Sequence, residues 1–114
     1  MKMSYSDIMD MVQSIGLPFA YDHFTEGESP APPFVIFRFP GDANFSADGV
    51  AYIQGKQLDI ELYTDYKDPE LEERIEEILE DNGIYYDRTE TWIPTEKLYE
   101  VLYRMEVYYA NTDQ

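Results

Sequence analysis

The tightest constraint on the fold is an alternation. From Gln57 to Tyr63 the apolar Leu58, Ile60 and Leu62 interleave with Gln57, Asp59, Glu61 and Tyr63. That period of two belongs to a half-buried strand with one wet face. The strand extends from Ala51 to Thr64 on this reading, after a polar, glycine-bearing loop from Gly41 to Val50.

Two helices frame it. Tyr5, Ile8, Val12 and Ile15 recur at spacings of three and four, so Ser4 to Ile15 predicts a short amphipathic helix, N-capped by Ser4 and stopped by Gly16-Leu17-Pro18. Asp68 and Pro69 supply an N-cap and first-turn proline for a second helix, with Leu71, Ile75, Ile78 and Leu79 on one stripe and Asn82-Gly83 as the stop.

Further strands are predicted over Leu17 to Phe24, Phe34 to Phe39 and Ile84 to Ile93. Thr25 to Pro33 is a loop, because its prolines cannot donate to a ladder. Pro40 and Gly41 are expected to end the strand that starts at Phe34. The last segment fits both periods: Leu98, Val101, Leu102 and Met105 suit a helix, while Val101, Tyr103, Met105, Val107 and Tyr109 suit a strand. Its Tyr and Val content favours the strand. The order predicts an α+β domain, a mostly antiparallel β-sheet of four to five strands with two helices packed on one face.

At 114 residues the chain is one domain, 1–114, and 44% hydrophobic residues suffice for a real core. Twenty-four acidic side chains against 8 basic ones give a net charge of -16, which excludes binding to nucleic acid through a basic patch. The absence of cysteine removes disulfides, thiol nucleophiles and zinc or iron-sulfur ligation. The segment Met1 to Asp7 lacks the apolar run of a signal peptide or membrane span, so a soluble protein is expected, with no membrane partner.

No constellation argues for catalysis. His23 is the only histidine, and beside Asp22 it reads as a solvent-facing or structural residue. Asp42 to Gly49 superficially resembles a calcium loop, but Ala47 and Ile53 stand where an EF-hand needs glycine and glutamate, so it reads as a polar hairpin loop. Asn44-Phe45-Ser46 is a chance glycosylation sequon. No nucleophile, phosphate loop or metal cluster is present, so no enzyme activity, cofactor or metal is expected.

The acidic helix says more. Four like-charge pairs stand at i,i+4 (Glu72 with Glu76, Glu73 with Glu77, Glu76 with Glu80, Glu77 with Asp81), against one favourable pair, Glu70 with Arg74. Acids at the C-terminal end also oppose the helix dipole, so local stability does not choose this pattern. A solvated face that keeps the protein soluble is the simplest reading; a basic partner, or a surface that nucleic acid must pass without sticking, is the functional one. The 11 tyrosines exceed the needs of this core, and Tyr63, Tyr66, Tyr85, Tyr108 and Tyr109 are expected at exposed or strand-end positions suited to a protein interface.

The helix at the N-terminus, the strands Pro33-Phe34-Val35-Ile36-Phe37 and Gln57-Leu58-Asp59-Ile60-Glu61-Leu62-Tyr63-Thr64, the acidic helix from Asp68 and the closing Leu102-Tyr103-Arg104-Met105-Glu106-Val107 together resemble small prophage tail-completion proteins. Those include the tail terminators of phages with long non-contractile tails. The resemblance covers most of the chain and rests on hydrophobic patterns. It implies a non-enzymatic protomer, made in the bacterial host cytoplasm, that closes into a ring, commonly six-fold, on the head-proximal end of the virion's tail tube. Its partners would be its own copies, the major tail tube protein and the head-completion or connector protein. It also supports the strand reading of the last segment.

On that basis Glu72, Glu73, Glu76, Glu77 and Glu80 are the first candidates for a lumen or partner face. Phe45, Tyr108 and Tyr109 are candidate interface residues. A rival reading from another class is an acidic mimic of DNA that inhibits a nucleic-acid-binding host protein.

Overall fold

A computed structural model describes residues 2–43, 45–47, 50–53 and 55–109, and the side chains of 3–43 and 55–108. In chain order the elements are β1 (Lys2–Met3), α1 (Tyr5–Ser14), β2 (Phe19–Tyr21), β3 (Phe34–Asp42), β4 (Phe45–Ala47), β5 (Val50–Ile53), β6 (Gly55–Thr64), α2 (Pro69–Asp81), β7 (Tyr86–Ile93) and β8 (Leu98–Tyr109). The fold is α+β, as the periodicities predict.

Each helix starts where its cap places it. The Asp7 N–H donates to Ser4 Oγ at 3.1 Å while the Ser4 N–H donates to Asp7 Oδ2 at 2.9 Å, a reciprocal capping box. Ile8, Met11 and Val12 form the buried stripe of α1. Asp68 Oδ1 accepts from the Leu71 N–H at 3.2 Å, and Pro69 occupies the first turn of α2. Gly16 and Gly83 turn the chain out of the two helices at φ +82° and +70°, where a side chain would be strained.

β8 is the spine of the sheet. One edge pairs antiparallel with β6, from Tyr99 opposite Thr64 to Tyr108 opposite Gly55. Its other edge pairs antiparallel with β7, from Ile93 opposite Leu98 to Tyr86 opposite Met105. The two-residue β1 then continues that edge in parallel. β3 lies antiparallel against β6, and β2 adds a short parallel strand at the far side. Five strands therefore form the sheet, extended by β1, and its parallel pairings are confined to β1 and β2.

Both helices lie on one face. Ile8, Met11, Val12 and Ile15 of the α1 region share a single core with Leu71, Ile75 and Leu79 of α2 and with Val35, Phe37, Leu58, Ile60, Leu62, Val101, Tyr103, Met105 and Val107 of the sheet. The sheet residues are all of one parity, as a strand's pleat requires.

Several boundaries differ from expectation: the strand expected over Leu17 to Phe24 is only Phe19–Tyr21, and β4 lies within the loop expected from Gly41 to Val50. β3 does not stop at Pro40 but runs to Asp42, because a register shift between Arg38 and Gly41 puts the proline where the ladder is already interrupted and no N–H is needed. Ala51 to Ile53 belongs not to the long strand but to a second hairpin, β4 with β5, that continues the β3–β6 pair beyond the sheet. Asn44, Asp48 and Gly49, part of the polar loop and its calcium-like pattern, lie outside the described residues.

Candidate functional site

The face of the sheet turned away from the helices is not simply wet, as the alternation predicts. Asp59 is fully buried and Glu61 nearly so. In register across three strands stand Arg38 of β3, Asp59 of β6 and Arg104 of β8, with Asp87 of β7 next in the row. Arg104 grips the carboxylate with both ends of its fork: Nε donates to Oδ1 and Nη2 to Oδ2, each at 3.0 Å. Arg38 Nη2 lies 3.9 Å from Asp59 Oδ2 on the other side. The long arginine stems cover the aspartate, which explains a buried carboxylate on a face with no helix over it.

Further along the same face of β6, Tyr63 bridges two acids. Its hydroxyl lies 2.8 Å from Glu61 Oε1 and 2.6 Å from Glu100 Oε2. A phenol has one proton, so all three groups are satisfied together only when one carboxyl is protonated and donates to the phenol oxygen. Burial, with Glu100 and Asp59 nearby, raises the Glu61 pKa above the usual carboxylate range despite the Tyr63 hydrogen bond and Arg38. Burial and the two acids likewise push the Tyr63 hydroxyl up. Arg38 Nε is buried and lies 3.3 Å from Glu61 Oε2, too poorly aligned for a hydrogen bond.

A second network lies under α2. Glu72 is only 6% exposed and takes charge-assisted bonds from Lys67 Nζ, at 2.6 Å, and from Arg88. Glu76 accepts from the Tyr103 hydroxyl at 2.8 Å and faces Arg88 at 3.7 Å. Glu90 joins both cations, and its hydrogen bonds from Lys67 and Arg88 lower its pKa. Burial and the bond to Glu76 raise the Tyr103 hydroxyl.

These contacts correct the acidic-helix reading. Glu72 is buried and Glu76 half-buried, and their carboxylates are engaged by Lys67, Arg88 and Tyr103, which hold α2 to β7 and β8. Glu73, Glu77 and Glu80 are exposed, and Glu80 accepts from the Tyr86 hydroxyl at 3.2 Å. Among the described residues no cation pairs with Glu70, Glu73, Glu77, Glu80 or Asp81. The expected Glu70–Arg74 pair is absent: Arg74 instead donates to the Ile15 carbonyl and ties α2 to the end of α1.

The aromatic surface divides in the same way. Tyr66 and Tyr85 are exposed, Tyr85 at 82%, whereas Tyr63 is committed to its acids. Trp92 and Tyr99 pair across the β7–β8 end with ring centroids 4.7 Å apart. Tyr108 is half-buried and lines a cleft of about 540 Å³, with Met3, Gln57, Tyr85 and Arg104, where the β8 edge passes from β7 to β1. Phe45 lies in β4 and Tyr109 ends β8, but their side chains are outside those described. His23 is exposed, a solvent-facing residue, and its Nδ1 lies 2.9 Å from Asp22 Oδ2.

Among the described residues no cluster of three or more acidic, histidine or cysteine side chains is arranged to hold a metal, and no helix is long and apolar enough to cross a membrane. The basic side chains are largely spent: Arg38, Lys56, Lys67, Arg88 and Arg104 all sit in ion pairs within the chain. The carboxylates of Glu73, Glu77, Glu80 and Asp81 and the rings of Tyr66 and Tyr85 remain outward. A scan against protein-family models gives no match, and a search of curated proteins gives no relative.

Proposed function

We propose that this chain is a structural protein of a phage tail, a terminator or tail-completion protomer that closes into a ring at the head-proximal end of the tail tube and joins it to the head connector. The observation that carries this reading is the order and pairing of the elements. A capped N-terminal helix, the strands β3 and β6, an acidic helix and the closing strand β8 follow one another in the order on which the resemblance to tail-completion proteins rests, and this supports the reading.

The charge distribution supports the same reading. Five of the basic side chains are engaged inside the protomer, and exposed carboxylates on α2 would make a conduit non-adhesive to DNA or meet a basic patch on a partner. In a ring, adjacent copies make heterologous contacts that close by rotation.

The test is assembly. Purified chain mixed with tail tube protein should give tube ends capped by rings in electron microscopy. Tubes that stay uncapped, with no tube-bound chain on sedimentation, would remove the proposal.

A second reading is favoured by one observation. Glu73, Glu77 and Asp81, with no cation partner among the described residues, stand along α2 at about 6 Å intervals, an arrangement that an acidic mimic of DNA would use to occupy a nucleic-acid-binding protein. Capture of such a host protein, released by competing DNA, would select it over the tail reading.

A further inference from the structure

β7 is an open sheet edge. It pairs with β8 on one side, and among the described residues no strand covers the other. All eight of its residues are exposed or half-buried. Its register with β8 is continuous, with neither bulge nor proline to spoil a further pairing. Such an edge is a template for another strand.

The residues on it suggest which strand. The segment reads Tyr86-Asp87-Arg88-Thr89-Glu90-Thr91-Trp92, and about Thr89 it is self-complementary. An antiparallel copy with its two-fold axis at Thr89 sets Arg88 opposite Glu90 twice, joining the ion pairs these two already make within each chain, and sets Tyr86 opposite Trp92 twice and Asp87 opposite Thr91 twice. Opposite charges and aromatic pairs are the favourable cross-strand neighbours. Neighbouring registers fail: an axis at Arg88, Asp87 or Glu90 sets a charge against itself, and one at Thr91 brings Arg88 against Pro94 and shortens the ladder.

Parity agrees. Tyr86, Arg88, Glu90 and Trp92 all stand on the helix-covered side, opposite Met105, Tyr103, Val101 and Tyr99, and an axis through a single residue keeps both copies' helices on that side. We propose that the β7 edge binds the β7 edge of a second copy of this chain, two-fold about Thr89, forming one continuous sheet. The contact is isologous, so it closes at two copies and covers the edge without starting a filament. It stands on β7 alone and does not depend on the tail reading.

The chain has no cysteine, which makes a single introduced thiol a clean reporter. In Thr89→Cys the two thiols would face each other across the axis at about 5 Å, whereas in Thr91→Cys they would lie about 13 Å apart along the strands. Both positions are exposed and on the same face. At about 0.15 M salt, where the Debye length is about 8 Å and the repulsion between two chains of net charge -16 is screened, Thr89→Cys should cross-link with a short bis-thiol reagent roughly tenfold faster than Thr91→Cys. The unsubstituted chain should give a dimer mass by light scattering. Equal cross-linking rates, or a monomer mass at every concentration, would overturn the proposal. A larger ring with no Thr89→Cys cross-link would overturn it too, while leaving the tail reading intact.

Discussion

Asp59 and Arg104 face each other across β6 and β8, the aspartate fully buried and the arginine about half exposed, joined by two hydrogen bonds of 3.0 Å. The asymmetry decides which change costs more. Replacing Arg104 by Ala strips the fork from a buried carboxylate and leaves only Arg38, at 3.9 Å. A loss of about 3 kcal/mol is expected, since breaking a buried pair leaves an uncompensated charge. Denaturant unfolding checks it; a change below about 0.5 kcal/mol, typical of a surface site, would mean that the carboxylate is solvated after all.

Glu61 gives a pH dependence with a definite sign. Its folded pKa is raised, chiefly by burial, so between the ordinary carboxylate range and that raised value the folded state holds more protons than the unfolded one. Its contribution is therefore fully present at low pH and lost as pH rises through the folded pKa. Glu61→Gln imitates the protonated carboxyl. The variant should gain on the parent in stability as pH rises above the ordinary carboxylate range, and stability curves that stay parallel there would refute the assignment.

Ser4 tests the start of α1. Removing its hydroxyl in Ser4→Ala frees the Asp7 N–H and breaks the reciprocal box, at a cost of about 1 kcal/mol. Because Ile8, Met11 and Val12 of the same helix are in the core, the loss should show as a lower midpoint of global unfolding. Local fraying alone, seen as faster exchange of the first-turn amides at an unchanged midpoint, is the contrary outcome.

Much of this fold is legible in the sequence because local chemistry and tertiary packing agree. Ser4 and Asp68 mark helix starts, Gly16 and Gly83 mark stops, and Leu58, Ile60 and Leu62 mark the buried face of β6. What is not legible depends on partners distant in sequence. Asp59 looks like a solvent-facing residue of an alternating strand until Arg104, 45 positions away, lies beside it. Glu72 looks like any other acid of α2 until Lys67 and Arg88 converge on it. Position within the helical repeat offered one signal: Glu72 and Glu76 follow directly on the buried Leu71 and Ile75, at the margin of the apolar stripe.

That division of the acids yields the sharpest prediction. Glu77 lies at i,i+4 from both Glu73 and Asp81, has no cation partner among the described residues, and is exposed, so Glu77→Gln relieves two repulsions and should stabilise the isolated chain by roughly 0.5 kcal/mol. Glu72→Gln should do the opposite: it removes the shared charge between Lys67 and Arg88, with a loss of about 3 kcal/mol. If the outward acids serve a lumen or a basic partner, the doubly substituted Glu73→Gln, Glu77→Gln chain should be more stable than the parent yet cap tail tubes poorly. Capping by that stable variant at the parent's level would show that the outward carboxylates serve solubility alone. The same failure from Glu72→Gln would show nothing about the lumen, because its charge is spent on holding α2 to β7.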